Sequence, residues 1–139
     1  GYLGTQNEID FAELSEILAR FHDGEEALWL KRMGREESAL WYERVDLRNV
    51  SVLVVEWTHG NNDLLEGVDL PVFLHSTPQE TLEHRRLRAR DGAPDSPFTT
   101  MVLEIEQALL RSQAHKAKII VSKNGELLTQ EQYSLLEVE

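Results

Sequence analysis

Cysteine is absent from this 139-residue sequence, which excludes disulfides, thiolate nucleophiles and cysteine-ligated zinc or iron–sulfur centres. Long apolar runs are absent as well. Val52–Val55 is the longest strongly apolar stretch, far short of the ~20 residues that a membrane-spanning helix requires. Gly1–Asp10 holds neither a basic region nor an apolar core, so no secretory signal is expected there. Basic side chains are scarce: 14 Lys and Arg stand against 25 Asp and Glu, a formal charge of −11. That balance disfavours the sequence-independent grip on phosphate backbones that nucleic-acid binding needs. The expectation is a cytoplasmic protein with no nucleic-acid and no membrane partner. Catalytic signatures are missing too: no G-x-S-x-G, no G-x-x-x-x-G-K-[ST] and no G-x-G-x-x-G occurs. The five histidines, at 22, 59, 75, 84 and 115, have no metal-ligand helical spacing, so a zinc site is not expected.

What is present reads as a globular chain, 41% hydrophobic and 28% charged. Asp10 and Glu13 have capping-box spacing and Gly24 is a stop signal, which predicts a helix from about Asp10 to His22. Phe11, Leu14, Ile17, Leu18 and Phe21 form its apolar stripe. Ala27–Leu30 and Ala39–Val45 are candidate short strands. Trp29, Trp41 and Tyr42 in that stretch are either core or the floor of a substrate pocket, with core expected on their size. Val50–Trp57 is a continuous β-branched run and predicts a strand buried on both faces. Leu70–His75 predicts a second. In Ser76-Thr77-Pro78-Gln79-Glu80, Thr77 caps, Pro78 suits the first helical position and Glu80 completes the T-x-x-E box. That helix should run to about Arg90 and break at Asp91–Pro94. Ser96-Pro97 restarts a helix to about His115, with Phe98, Val102, Ile105, Leu109 and Leu110 as its buried face. Ala117–Val121 predicts a third strand, Asn124-Gly125 a turn to an edge strand at Glu126–Thr129, and Gln130–Leu136 a terminal helix. The alternation predicts one α/β domain over residues 1–139, with a mostly parallel sheet flanked by helices.

In such sheets ligands sit beyond the carboxyl ends of the strands. Those ends carry Glu56, Thr58 and His59 on one strand, and His75, Ser76 and Thr77 on the next. Glu56 is a candidate hard-oxygen ligand for magnesium, or a carboxylate paired with an arginine. His84 to Arg90 is an exception to the acidic background, since Arg85, Arg86, Arg88 and Arg90 gather 4 of the 14 basic side chains. Arg85 and Arg88 share one helix face, Arg86 and Arg90 another. Guanidinium forks match phosphate oxygens, so the segment is either an anion clamp or a solvated helix end where cations favour the dipole.

A strand ending V-V-E, a second strand V-F-L, the helix H-R-R-L-R-A-R-D and the continuation S-P-F-x-x-x-V-L-E-I-E with A-K-I-I-V resemble the uridine kinase and phosphoribulokinase branch of P-loop kinases. The resemblance extends over roughly residues 7–139, downstream of that family's phosphate loop. It implies ATP and Mg2+ as cofactors, Glu56 as a magnesium carboxylate, and Arg85, Arg86, Arg88 and Arg90 as contacts to the nucleotide phosphates, with Arg85 and Arg88 catalytic. Thr58, His59 and Asn61 would then lie beside a small-molecule phosphate acceptor. Trp57 stands where the family has glycine, and Lys118 where it commonly has an acid. The family's first strand and phosphate loop have no counterpart here, and in that fold the missing strand lies between those represented by Val50–Trp57 and Leu70–His75. The resemblance therefore implies an incomplete P-loop kinase fold, a fragment inactive alone, with the gap filled by a longer polypeptide or by strand exchange in a homo-oligomer. Alternatively, the two strands pair directly. The expected function is part of an ATP-dependent kinase acting on a nucleoside or sugar hydroxyl. The alternative is a non-catalytic kinase-like domain for regulation or assembly, which the bulky Trp57 favours. A small interaction domain unrelated to kinases is the third reading.

Overall fold

A computed structural model of the chain describes residues 9–36, 38–88 and 97–136, the side chains of Pro78, Arg85, Arg88 and Thr99 excepted. Helix α1 spans Phe11–His22. Asp10 caps it as its spacing predicts, Oδ1 accepting from the Glu13 amide at 2.9 Å, and Gly24 follows at φ 78°, a left-handed stop that glycine adopts without a Cβ penalty. The two candidate strands that follow are longer than expected. β1 (Ala27–Met33) and β2 (Leu40–Asp46) form an antiparallel hairpin.

That hairpin corrects the expectation for the aromatics. Trp29, Trp41 and Tyr42 are 63%, 50% and 55% exposed, and Leu28 is the buried side chain of the two strands. A two-stranded ribbon has no layer of its own to cover either face, so its aromatic content does not amount to a core. The register sets Trp29 opposite Arg44 and Lys31 opposite Tyr42 on one face.

The second sheet has the order β3–β4–β5, with β3 (Val72–Leu74), β4 (Ile119–Val121) and β5 (Leu127–Leu128). The β3–β4 ladder is parallel and the β4–β5 ladder antiparallel. The turn into β5 passes through Gly125 at φ 79°, as Asn124-Gly125 predicts. Helices α2 (Pro78–Arg88), α3 (Pro97–Gln113) and α4 (Gln130–Leu136) complete the chain, with a 3-10 turn at Ala114–Lys116. None of the described helices is long and apolar enough to cross a membrane. The buried face of α3 is rotated from the expected one. Leu103 and Gln107 are buried, whereas Phe98 and Ile105 are exposed. Gln107 hid this face because its amide is buried for a hydrogen bond, described below, and not for its hydropathy.

Val50–Trp57 departs most from its expectation. The segment belongs to no ladder. Its side chains alternate from Val52 to Trp57, exposed and half-buried in turn, the two-residue period of extended chain. Leu53, Val55 and Trp57 point into a core cluster with Phe11, Leu18 and Leu65. A separate cluster joins Phe73, Ala114, Ala117, Ile120 and Tyr133. The run's hydrophobicity reported one inward face, and its β-branched outer face has nothing over it among the described residues.

The loop after Leu65 is laid onto α1 by the Ser15 hydroxyl, which accepts from the Glu66 amide at 3.0 Å. Gly67 sits at φ +90°, where an added Cβ would lie 3.2 Å from the Leu18 Cβ. Both strain and contact oppose a side chain there. Gly67→Ala is expected to lower unfolding stability by more than ~1 kcal/mol, read as a lower denaturant midpoint; an unchanged midpoint would contradict this packing.

Candidate functional site

Parallel strands β3 and β4 end together, and beyond their carboxyl ends the first turns of α2 close a cleft of about 420 Å³. His75, Ser76, Glu80, Glu83, His84 and Lys123 line it. The T-x-x-E box forms as its sequence predicts. The Thr77 amide donates to Glu80 Oε2 at 3.0 Å, and Thr77 Oγ1 accepts from the Glu80 amide at 3.3 Å, so two orphan donors of the helix end are satisfied reciprocally. Glu80 also reaches across the cleft to Lys123 Nζ, 2.8 Å from Oε1. Lys123 first, and the Thr77 amide second, hold the Glu80 carboxyl below its ordinary range, and Glu80 raises the Lys123 ammonium. Nothing in the sequence marks Lys123 for this role, because its partner is 43 residues away (123 − 80).

Under the cleft, the Thr81 hydroxyl donates to Thr77 O at 3.1 Å and accepts from Gln107 Nε2 at 3.3 Å. With its proton committed, Thr81 Oγ1 is the acceptor toward Ser76 Oγ at 3.2 Å. Ser76 is thus a hydrogen-bond donor to a neighbouring hydroxyl, an arrangement that does not activate it as a nucleophile. The His75 ring stands edge-on to Tyr133, centroids 5.3 Å apart. The cleft thus carries side chains of both charges, Glu80 and Lys123 paired across it, above a hydrogen-bonded floor.

The other expected residues are distributed differently. Glu56 and Thr58 are exposed. His59 is buried with its ring edge-on to Trp57 at 5.6 Å, and its Nδ1 has no hydrogen-bond partner among the described residues. Asn61 Nδ2 donates to Val72 O at 2.9 Å. The loop they occupy is held by Lys116, whose Nζ donates to Asn62 O at 2.7 Å and Leu65 O at 2.6 Å. Among the described residues no three or more His, Asp or Glu side chains converge on a point, and Glu56 is a single exposed carboxylate. Arg86 is exposed on α2. The side chains of Arg85 and Arg88, and all of Arg90, lie outside the described residues.

No family model matches the chain, and no solved structure matches it. It is similar to the bifunctional alpha-galactosidase/sucrose kinase AgaSK of Mediterraneibacter gnavus, 49% identical over 130 residues. The alignment covers 94% of this chain and 14% of that protein, so the chain spans about one seventh of its relative's length.

Because the Glu80 carboxyl is lowered from about 4.5, its pairing stabilises the fold above that pH and the contribution is lost as pH falls through the lowered value. The Lys123 side of the pair is present below about 10.5 and lost as pH rises through the raised value. Glu80→Gln is expected to be less stable than the parent protein throughout the interval between, with the difference vanishing in acid. Denaturant midpoints measured from pH 2 to 8 test this, and a pH-independent difference would contradict it. Thr77→Ala removes the cap and should cost about 0.5–2 kcal/mol.

Proposed function

We propose that residues 1–139 are part of a longer sugar kinase that transfers a phosphoryl group from ATP to a sugar hydroxyl, with sucrose as the acceptor class to test first. One observation carries this reading: 49% identity over 94% of the chain with a protein whose name includes sucrose kinase. The relative is bifunctional, and one feature favours its kinase activity over the glycosidase one for this segment. The Arg-rich helix with its S-P-F continuation resembles the uridine kinase branch of P-loop kinases.

Phosphoryl transfer depends mainly on positioning and on neutralising charge on the transferred group. Arg85 and Arg88 are assigned to the phosphate oxygens, with Arg86 and Arg90 as supporting cations. Thr58 is the exposed member of the acceptor-side group, whereas His59 is buried and Asn61 is bonded to backbone. Magnesium is usually held by one or two carboxylates together with substrate phosphates. Glu56, a single exposed carboxylate, does not by itself make such a site.

The alternative of a non-catalytic kinase-like domain rested on Trp57 crowding an acceptor. That indole packs half-buried against the core cluster, 5.5 Å from the Phe11 ring, which weakens the support for it.

Kinase activity is tested on the longer protein that carries these residues, by following ADP release with sucrose as acceptor. Replacing Arg85 and Arg88 together by Ala is expected to lower kcat/KM by about 10²-fold or more, the scale of losing charge-stabilising donors. Undiminished turnover in a variant of normal stability would refute the assignment.

A further inference from the structure

Helix α3 carries apolar side chains on two opposite sides. Leu103 and Gln107 are buried toward the rest of the chain, and Leu110 packs against the Phe73 cluster. At about 100° per residue, the opposite side of the helix holds Phe98, Met101, Ile105, Ala108 and Ser112. All five are exposed, Phe98 by 69%, Met101 by 50% and Ile105 by 46%. A surface helix ordinarily turns charged and polar side chains outward, and single exposed apolar residues are scattered. These are not scattered. They recur at alternating spacings of 3 and 4 residues, the repeat of a coiled-coil seam.

The seam is graded, with large side chains at its amino-terminal end and small ones at its carboxyl end. The Ser112 hydroxyl donates to Leu109 O at 2.6 Å, so its donor is satisfied within the helix. Two such helices pack densely only when antiparallel, large against small. A parallel pair would set Phe98 against the partner's Phe98 and leave a gap at Ala108 and Ser112. The flanks fix the offset. Glu104 and Arg111, both exposed, stand just before Ile105 and Ser112, on one side of the seam. Setting Ile105 against the partner's Ala108 and Met101 against the partner's Ser112 brings Glu104 beside the partner's Arg111. On the other flank, Val102 then meets the partner's Leu109. Sliding the pair by one heptad sets Glu104 beside the partner's Glu104, a like-charge contact that specific interfaces avoid.

We propose that the outer face of α3 docks a second copy of this chain, the two helices running antiparallel about a two-fold axis that passes between positions 106 and 107. The contact is isologous, each copy presenting the same patch to the other. Charge complementarity chooses this occupant, because the acid and the base on the flank are spaced to meet each other on an identical helix of opposite direction. The formal charge of −11 on each copy opposes the approach at long range, but that repulsion is screened beyond about 8 Å at 0.15 M salt. A lipid surface is not matched, since it calls for Lys and Arg around the apolar face, where Glu104 stands.

Disulfide trapping in the longer protein tests the pairing without reading phosphoryl transfer, so its outcome is separable from that of the kinase reading. These 139 residues hold no cysteine, and a disulfide requires Cα atoms within about 7 Å of each other. An equimolar mixture of Ile105→Cys and Ala108→Cys proteins is oxidised at 0.15 M salt, and the joined peptides are identified by mass spectrometry. The peptides carrying positions 105 and 108 are expected to join at least ~10-fold more than either variant joins to itself. Glu104→Arg or Arg111→Glu, introduced into both proteins of the mixture, is expected to lower that yield about 10-fold by opposing like charges. Both reversals together are expected to restore it. Absence of the 105–108 product would overturn the interface, and a pattern of 105–105 and 108–108 products would overturn the antiparallel arrangement. A loss in the single reversals that the paired reversal leaves unrestored would overturn the register.

Discussion

The Lys116 ammonium is the joint on which the arrangement depends. It is partly buried and donates to two carbonyls, Asn62 O and Leu65 O, more than 50 residues away in sequence. Leu65 belongs to the core cluster on α1, and the 3-10 turn carrying Lys116 adjoins the cluster around Ala114 and Ala117. A cation bonded to two backbone oxygens is a charge-assisted contact, so this one side chain couples two hydrophobic clusters that do not merge. Lys118 repeats the device, its Nζ donating to Asp69 O at 3.0 Å. Both lysines fasten the 62–69 connection to the start of β4. An acidic chain with 14 basic residues has thus used two of its lysines as backbone clamps.

Local signals in the sequence were sufficient where the partner of a group lies within a few residues. The Asp10 and Thr77 caps, the Gly24 stop, the Asn124-Gly125 turn and helix α4 all fall where their residues indicate. Their energetics are local, so spacing alone specifies them. The α3 face is not legible from periodicity because Gln107 is buried for the Thr81 hydroxyl, a partner 26 residues away. The exposed aromatics of β1 and β2 show the opposite case: size predicts burial only when a second layer exists to receive it.

Val50–Trp57 was legible as extended chain and not as a member of a sheet. The β-branched content fixes the backbone conformation, whereas pairing depends on what else is available to pair. Of the candidate site, the strand-end group His75, Ser76 and Thr77 was visible from topology, and the bridge from Glu80 to Lys123 was not. The −11 charge singles out the arginines of α2, whereas Lys116, Lys118 and Lys123, which no local signal marks, make long-range contacts between described parts of the chain.

The open edge along 51–56 also bears on how the isolated chain behaves in solution. An extended apolar segment with free peptide groups is a template for intermolecular strand addition. Here the opposing force is long-range repulsion between chains of the same negative sign, whose reach shrinks from about 30 Å at 0.01 M salt to about 8 Å at 0.15 M. Colloidal stability of the chain is therefore a function of ionic strength, since dilute buffer maintains that repulsion and added salt weakens it.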